Sequence, residues 1–273
     1  MRVPAIEKAS TVLNALAGSD EALTFSELVD KTQLPRSSLH DLLTSLIASR
    51  FVDLTLNNRY EIGLRVIELA GARLASSDVV SEFVRVCDRE TVLRGQTLVL
   101  GLLDGGETVY VATRPGTRSL AVAYRVGMRL PASCTATGKS ILGTLPDHRL
   151  DEIYGMGPLP RLTEASIATV GQLREALKTN TRMGYSLDDE ETATGMICVG
   201  APVFQRGRSE AVGAVATSMV KAGLDESRFS WVTQAVVNLA VEITSRLGGR
   251  PVTRVIDRAP APGADRDNAS ALP

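Results

Sequence analysis

No run of apolar residues in this 273-residue sequence approaches the roughly 20 needed to cross a bilayer. Its opening, Met1-Arg2-Val3-Pro4, leads into a mixed polar and apolar stretch, without the apolar segment and small-residue cleavage site of a signal peptide. The expectation is a soluble cytoplasmic protein with no membrane partner. Cysteine is scarce: Cys87, Cys134 and Cys198 are odd in number, far apart and never in Cys-x-x-Cys spacing. That pattern argues against a disulfide framework and a zinc ribbon, and reduced thiols are expected. Charge of one sign is also missing. Lys and Arg number 30 against 31 Asp and Glu, a formal net charge of −1. The first 77 residues repeat the balance, with 8 basic against 9 acidic side chains. Even there the sequence lacks the positive surplus that usually supplies nonspecific binding to phosphates.

What is present is a chain long enough for two cores. A hydrophobic content of 44% with 22% charged residues is that of a folded protein. Residues 6–17 carry Ile6, Ala9, Val12, Leu13 and Leu16 at helical spacing, and Gly18 and Asp20 end the run. Thr24-Phe25-Ser26-Glu27 has the form of a capping box and opens a second helix through about residue 32. Pro35, suited to a first helical turn, starts a third helix through about residue 49, in which Leu39, Leu42, Leu43, Leu46 and Ile47 form one stripe. Phe51 to Leu56 and Tyr60 to Ile62 alternate around Asn57-Asn58, which predicts a small hairpin carrying Arg59. Gly63 closes it, and Leu64 to Ser77 reads as a connecting helix.

From Asp78 the texture changes. A helix near 79–93 precedes strands at 97–103, 108–113 and 120–126, and a helix at about 135–145 is followed by a loop rich in Gly and Pro. Thr169 and Gln172 cap a helix through about Met183, strands at 196–204 and 211–220 make a second hairpin, and Asp225 opens a long helix to Leu247. Hairpins with helices before and after them imply an α+β domain built on a mainly antiparallel sheet. The tail from residue 250, rich in Pro, Ala and Asp, is expected to be disordered.

Three short helices and a hairpin follow the order of a winged helix-turn-helix, whose third helix enters the major groove N-terminus first. The expected DNA-facing set is Thr24, Arg36, Ser37, Ser38, His40, Asp41 and Thr44, with Arg59 in the wing on the backbone. A helical packing module with a solvated polar face is the competing reading of the same pattern. Ser133-Cys134-Thr135-Ala136-Thr137-Gly138-Lys139-Ser140 matches the phosphate-binding loop except for Ser133 in place of glycine. The residues before it read as loop and no strand ending in Asp lies suitably downstream, so a nucleotide site is not expected. Small and hydroxyl residues at a helix start instead leave room for a ligand, or make a closely packed junction. Asp188-Asp189-Glu190-Glu191 reads as a solvated turn or as a cluster with one member turned inward, and Cys198 as a small buried hydrophobe. His148 lies in an expected surface segment and no second His stands near Cys134. A hydrolase using Cys134 is therefore the weaker reading, since no base, metal cluster or cofactor site assembles around it.

The order of parts and the wording resemble the IclR family of bacterial regulators over roughly residues 4–248. The residues that carry the resemblance are Leu34-Pro35-Arg36-Ser37-Ser38-Leu39-His40-Asp41-Leu42-Leu43, Tyr60-Glu61-Ile62-Gly63-Leu64, and Gly127-Met128-Arg129-Leu130-Pro131 through Lys139. Further on, Arg182-x-Gly184-Tyr185-Ser186, the acidic run and Gly195-x-x-Cys198-Val199-Gly200-Ala201-Pro202-Val203 complete it. The resemblance implies a winged helix-turn-helix over residues 1–63, a linker helix over 64–77 and a GAF-like effector domain over 78–249. It implies a transcriptional regulator, often a repressor of a catabolic operon, that works as a homodimer or dimer of dimers on operator DNA. It also implies a small effector, an organic acid or aromatic, in a pocket lined by Cys134, Thr135, Ala136, Thr137, Asp188, Cys198, Ala216 and Ser218, with Ala216 lacking the hydroxyl that relatives often carry there.

Overall fold

The computed structural model describes residues 3–75, 77–117, 124–155 and 157–251, which fall into two compact units meeting at residues 76 and 77. The first holds α1 (Pro4–Ala17), α2 (Phe25–Thr32), α3 (Arg36–Ala48), β1 (Val52–Leu54), β2 (Tyr60–Ile62) and α4 (Arg65–Ala75). The capping box forms as read: the Glu27 amide donates to the Thr24 hydroxyl at 3.3 Å and the Thr24 amide to the Glu27 carboxylate at 2.7 Å. Gln33 ends α2 in the left-handed region at φ 55°. Pro35 stands one position earlier than expected, as the cap of α3, so that Arg36 is the first helical residue. Leu39, Leu43 and Leu46 are buried against Val12, Leu16, Leu23, Leu28 and Val52, with Leu42 and Ile47 at the margin. Each fully buried Leu of this core contributes roughly 1.5–3 kcal/mol. In the hairpin, Asn58 takes φ 55° as the turn requires, and Leu23 adds a short third rung through two hydrogen bonds with Tyr60, at 2.9 and 2.7 Å. Helix α4 buries no residue, and Ile67 and Leu69 are exposed on it.

The second unit is one antiparallel sheet with helices on both faces. Its strands are β3 (Leu98–Asp104), β4 (Glu107–Arg114), β5 (Arg129–Pro131), β6 (Ser186–Asp189), β7 (Met196–Val203) and β8 (Gly213–Val220), in the order β5-β4-β3-β8-β7-β6. Its helices are α5 (Asp78–Arg89), α6 (Ala136–Leu142), α7 (Asp147–Tyr154), α8 (Val170–Met183) and α9 (Glu226–Arg246). Side chains alternate along strands, so the register decides which residues share a face. Val99 pairs with Ala216, Ala216 with Gly200, Ser218 with Cys198, and Cys198 with Asp188. These share the face covered by α6. The opposite face, with Leu98, Leu100, Val199 and Val215, packs on α5 and α9.

Three elements differ from the sequence reading. The strand expected at 120–126 falls partly on residues 120–123, outside the described residues; Tyr124 to Val126 are not strand, and the edge strand is Arg129–Pro131. The sequence marks this stretch only as loop, because it is three residues long and ends in proline, a residue that only an edge strand tolerates. The segment around His148 is α7, started by Pro146 and Asp147. The acidic run lies partly in strand β6, whose pairing with β7 offsets the poor strand propensity of aspartate. The tail expected to be disordered lies outside the described residues beyond Pro251.

Helix α6 lies on the sheet at glycines. A Cβ on Gly200 would come within 2.7 Å of the Ala136 carbonyl, and one on Gly138 within 2.3 Å of the Ala132 oxygen. Gly200→Ala is therefore expected to destabilise the unit by about 1–3 kcal/mol through overpacking, measured as a lowered urea midpoint. An unchanged midpoint would mean that α6 can lift without loss.

Candidate functional site

On α3, Arg36, Ser37, His40, Asp41 and Thr44 are exposed and Ser38 is half-buried, taking a hydrogen bond from the Lys8 ammonium at 3.2 Å. These residues share the polar side because the Leu39, Leu43 and Leu46 stripe points inward. The Arg36 guanidinium rests over the Phe25 ring, 5.2 Å from its centroid, a contact that steers the side chain without neutralising it. His40 Nδ1 stands 3.7 Å from the Asp41 carboxylate, both side chains exposed. The Thr44 hydroxyl donates to the His40 carbonyl at 2.9 Å and keeps lone pairs outward. Thr24 is occupied by the capping box, and Arg59 ties the wing inward, donating to the Ala22 carbonyl at 2.8 Å and facing the Glu27 carboxylate at 3.5 Å. Arg50 and Arg65 both lean on Glu68. At the tip of the wing Leu56 is fully exposed.

In the second unit the structure gathers Thr137, Cys198, Ala216, Ser218 and Asp188 on the α6 face of the sheet. Two tyrosines not singled out from the sequence complete the group. The Tyr124 hydroxyl is 2.7 Å from Ser218 Oγ and 3.8 Å from Cys198 Sγ, while Cys198 Sγ is 3.1 Å from Ser218 Oγ. The Tyr124 ring meets Tyr110 edge-on, centroids 5.1 Å apart at 68°, and the Tyr110 hydroxyl is 3.4 Å from Thr137 Oγ1. Val99 and Ala216 pack on Tyr110, with Tyr124, Met128 and Leu130 beside them. Burial raises both phenols, and it pushes the Cys198 thiol up to about 12, so these two phenols and the thiol are neutral at physiological pH. The inward alternation of β4 and the small number of tyrosines, 5 in the chain, were the signals available for Tyr110.

Cys134, Thr135 and Ala136 turn elsewhere. The Cys134 thiol donates to the Pro160 carbonyl at 3.3 Å, Thr135 caps α6 and stands 3.0 Å from the Thr108 hydroxyl, and Ala136 presses on Gly200. Asp188 is 1% exposed and closes its own turn: its carboxylate accepts from the Glu191 amide at 2.8 Å, the Thr192 amide at 3.1 Å and the Thr192 hydroxyl. Two members of the acidic run therefore point inward, because Glu191 is also buried, as the ion-pair partner of buried Lys139. Asp189 and Glu190 stay outside with Lys221. Burial pushes the Glu191 carboxyl up, opposed by the Lys139 ammonium. The lysine of the near-match to a phosphate loop is thus committed to a carboxylate. As a nucleophile Cys134 is poorly placed, since it is buried and its thiol is raised by burial, and His148 is exposed on α7.

Among the described residues no helix is long and apolar enough to cross a membrane, and no three His, Cys, Asp or Glu side chains gather as a metal site.

Comparison with known proteins places both units. Residues 5–54 match the IclR helix-turn-helix domain, and residues 71–245 match the bacterial transcriptional regulator IclR C-terminal domain. The chain is 27% identical to the HTH-type transcriptional regulator XynR of Escherichia coli over 248 residues, 90% of this chain and 98% of that protein. Among solved structures it is similar to the repressor BlcR of Agobacterium tumefaciens, at 31% identity and a TM-score of 0.57, covering 90% of this chain and 97% of that one. The IclR protein of Thermotoga maritima superposes with a TM-score of 0.70 at 27% identity, covering 90% of this chain and 100% of that one.

Proposed function

Because the chain belongs to the IclR family of bacterial transcriptional regulators, we propose that it binds operator DNA through the exposed face of α3 and releases or tightens that hold when a small molecule occupies the sheet around Ser218. The observation that carries this reading is the joint match of both units, a helix-turn-helix over residues 5–54 and an effector-type domain over 71–245. It is a regulator, not an enzyme, and it acts in the cytoplasm, where its DNA is. The division of labour we assign is 1–63 for DNA, 64–77 for a linker and 78–249 for the effector.

Arg36, Ser37, Ser38, His40, Asp41 and Thr44 meet base edges or phosphates in the major groove. Thr24 and Arg59 flank them, Arg59 with part of its guanidinium already bound within the unit. The unburied helix α4, with Ile67 and Leu69 exposed, supports self-association. Two copies would set two α3 helices on half-sites about 34–36 Å apart, one turn of DNA.

The test is a gel shift on the upstream intergenic DNA of its own gene, with nonspecific competitor and a salt series. A discrete shift that survives competitor is expected; no shift at low salt would refute the reading. Coupling to the effector is expected to change operator affinity by roughly 5- to 150-fold.

Asp188→Ala removes the acceptor of two backbone amides, so the 188–192 turn should loosen, and the effector-induced change in operator affinity is expected to fall at least about 5-fold. Effector-free operator binding should be unchanged. Loss of effector-free DNA binding in a folded Asp188→Ala protein would refute this division of labour.

A further inference from the structure

The site on the α6 face already holds a ring. Tyr124 lies in neither helix nor strand, yet its side chain packs against the cluster of Val99, Tyr110 and Ala216. Its hydroxyl meets Ser218 Oγ at 2.7 Å and Cys198 Sγ at 3.8 Å, and its ring meets Tyr110 edge-on. That is how a protein binds a phenol: an aromatic wall for the ring and a small polar group for the hydroxyl. We propose that Tyr124 is a phenol supplied by the chain itself, and that the effector is an uncharged hydroxylated aromatic molecule that takes its place. This rests on the reading of the second unit as an effector domain.

Charge decides the class of ligand. A carboxylate brought to Ser218 would give up its hydration for hydroxyls and a thiol that stay neutral. It would also approach Asp188, which is paired in register with Cys198. Among the described residues of the unit the buried ammonium is that of Lys139, which is already matched to Glu191. A phenol meets none of these penalties, since its hydroxyl can donate and accept in the place where the Tyr124 hydroxyl does so. Ala216 fits the same ligand. It packs on Tyr110 with Val99, so the wall beside the ring is apolar. Displacing Tyr124 breaks no strand pairing, because the residue belongs to no strand.

The experiment is calorimetric titration of the full-length protein with p-cresol, which is the tyrosine side chain capped by hydrogen. Toluene and 4-methylbenzoate are the comparison ligands, one lacking the hydroxyl and one carrying a carboxylate in its place. The wild type is expected to bind p-cresol at least about 5-fold more tightly than either, the difference being one hydrogen bond or an uncompensated charge. Tyr124→Phe keeps a ring in the cluster but loses the bond to Ser218, so the resident ring competes less and p-cresol should bind about 5- to 10-fold more tightly. Tyr124→Ala should bind it more tightly still. Ser218→Ala added to Tyr124→Phe should bind it about 5- to 10-fold more weakly than Tyr124→Phe alone, whereas Ser218→Ala by itself should change little, because the resident and the incoming hydroxyl lose the same partner.

Equal p-cresol affinity in the wild type and Tyr124→Phe would overturn the displacement, and so would an absence of binding in both. Preference for 4-methylbenzoate would overturn the ligand class. Neither of those results touches the effector role itself, which fails separately if no small molecule alters operator binding.

Discussion

Lys139→Met is expected to lower the stability of the C-terminal unit by about 3–5 kcal/mol, because it leaves the Glu191 carboxylate buried without its counter-charge. Lys139 is 2% and Glu191 8% exposed, so neither can recover hydration by a small shift. The second Glu191 oxygen has no hydrogen-bond partner even in the intact pair, and the neighbouring Ser140 hydroxyl has none either. The site is thus already short of partners before the ammonium is removed. Urea unfolding followed by circular dichroism reads the effect as a lower midpoint at unchanged slope. The double variant Lys139→Met with Glu191→Leu should recover at least half of the loss, since a buried pair replaced by apolar groups of similar volume is often neutral. A single variant as stable as the wild type would mean that Glu191 reaches water or takes up a proton at little cost.

Arg36→Ala is expected to weaken operator binding by roughly 10- to 100-fold, the range of one good bidentate contact to a base. The arginine is the first residue of α3 and is aimed by its contact with Phe25. If it reads a guanine edge, the variant should lose discrimination at one base pair of each half-site. If it meets a phosphate, affinity should fall evenly across sequences and the salt slope should drop by about 0.9. Ligand titration of the same variant should be unaltered. Unchanged footprints would remove Arg36 from the interface.

Much of the fold was legible where the signal is local. Thr24 with Glu27 and Thr169 with Gln172 announce helix starts within four residues, and both capping boxes form. The α3 stripe and the strands around Cys198 and Ser218 follow from periodicity alone. What escaped depends on distant partners. β6 carries aspartates and becomes strand through its pairing with β7, and β5 is too short for any pattern. The same reason hid half of the candidate site. Cys198, Ala216 and Ser218 entered through resemblance, but Tyr124 finds Ser218 across 94 residues and Lys139 finds Glu191 across 52. Nothing in the local wording marks either pair.

The pairing of Arg50 and Arg65 with Glu68, and of Arg59 with Glu27, bears on how the regulator is distributed through a cell. Random duplex competes for a DNA-binding protein through phosphate attraction alone, and a genome offers about 10⁶ or more such sites. A head with as many acids as bases is held loosely by that background. Few copies would then be sequestered on the chromosome, and a small pool would be enough to keep an operator filled. If the ligand loosens the hold on the operator, a freed copy would go back to solution instead of lingering on the flanking sequence.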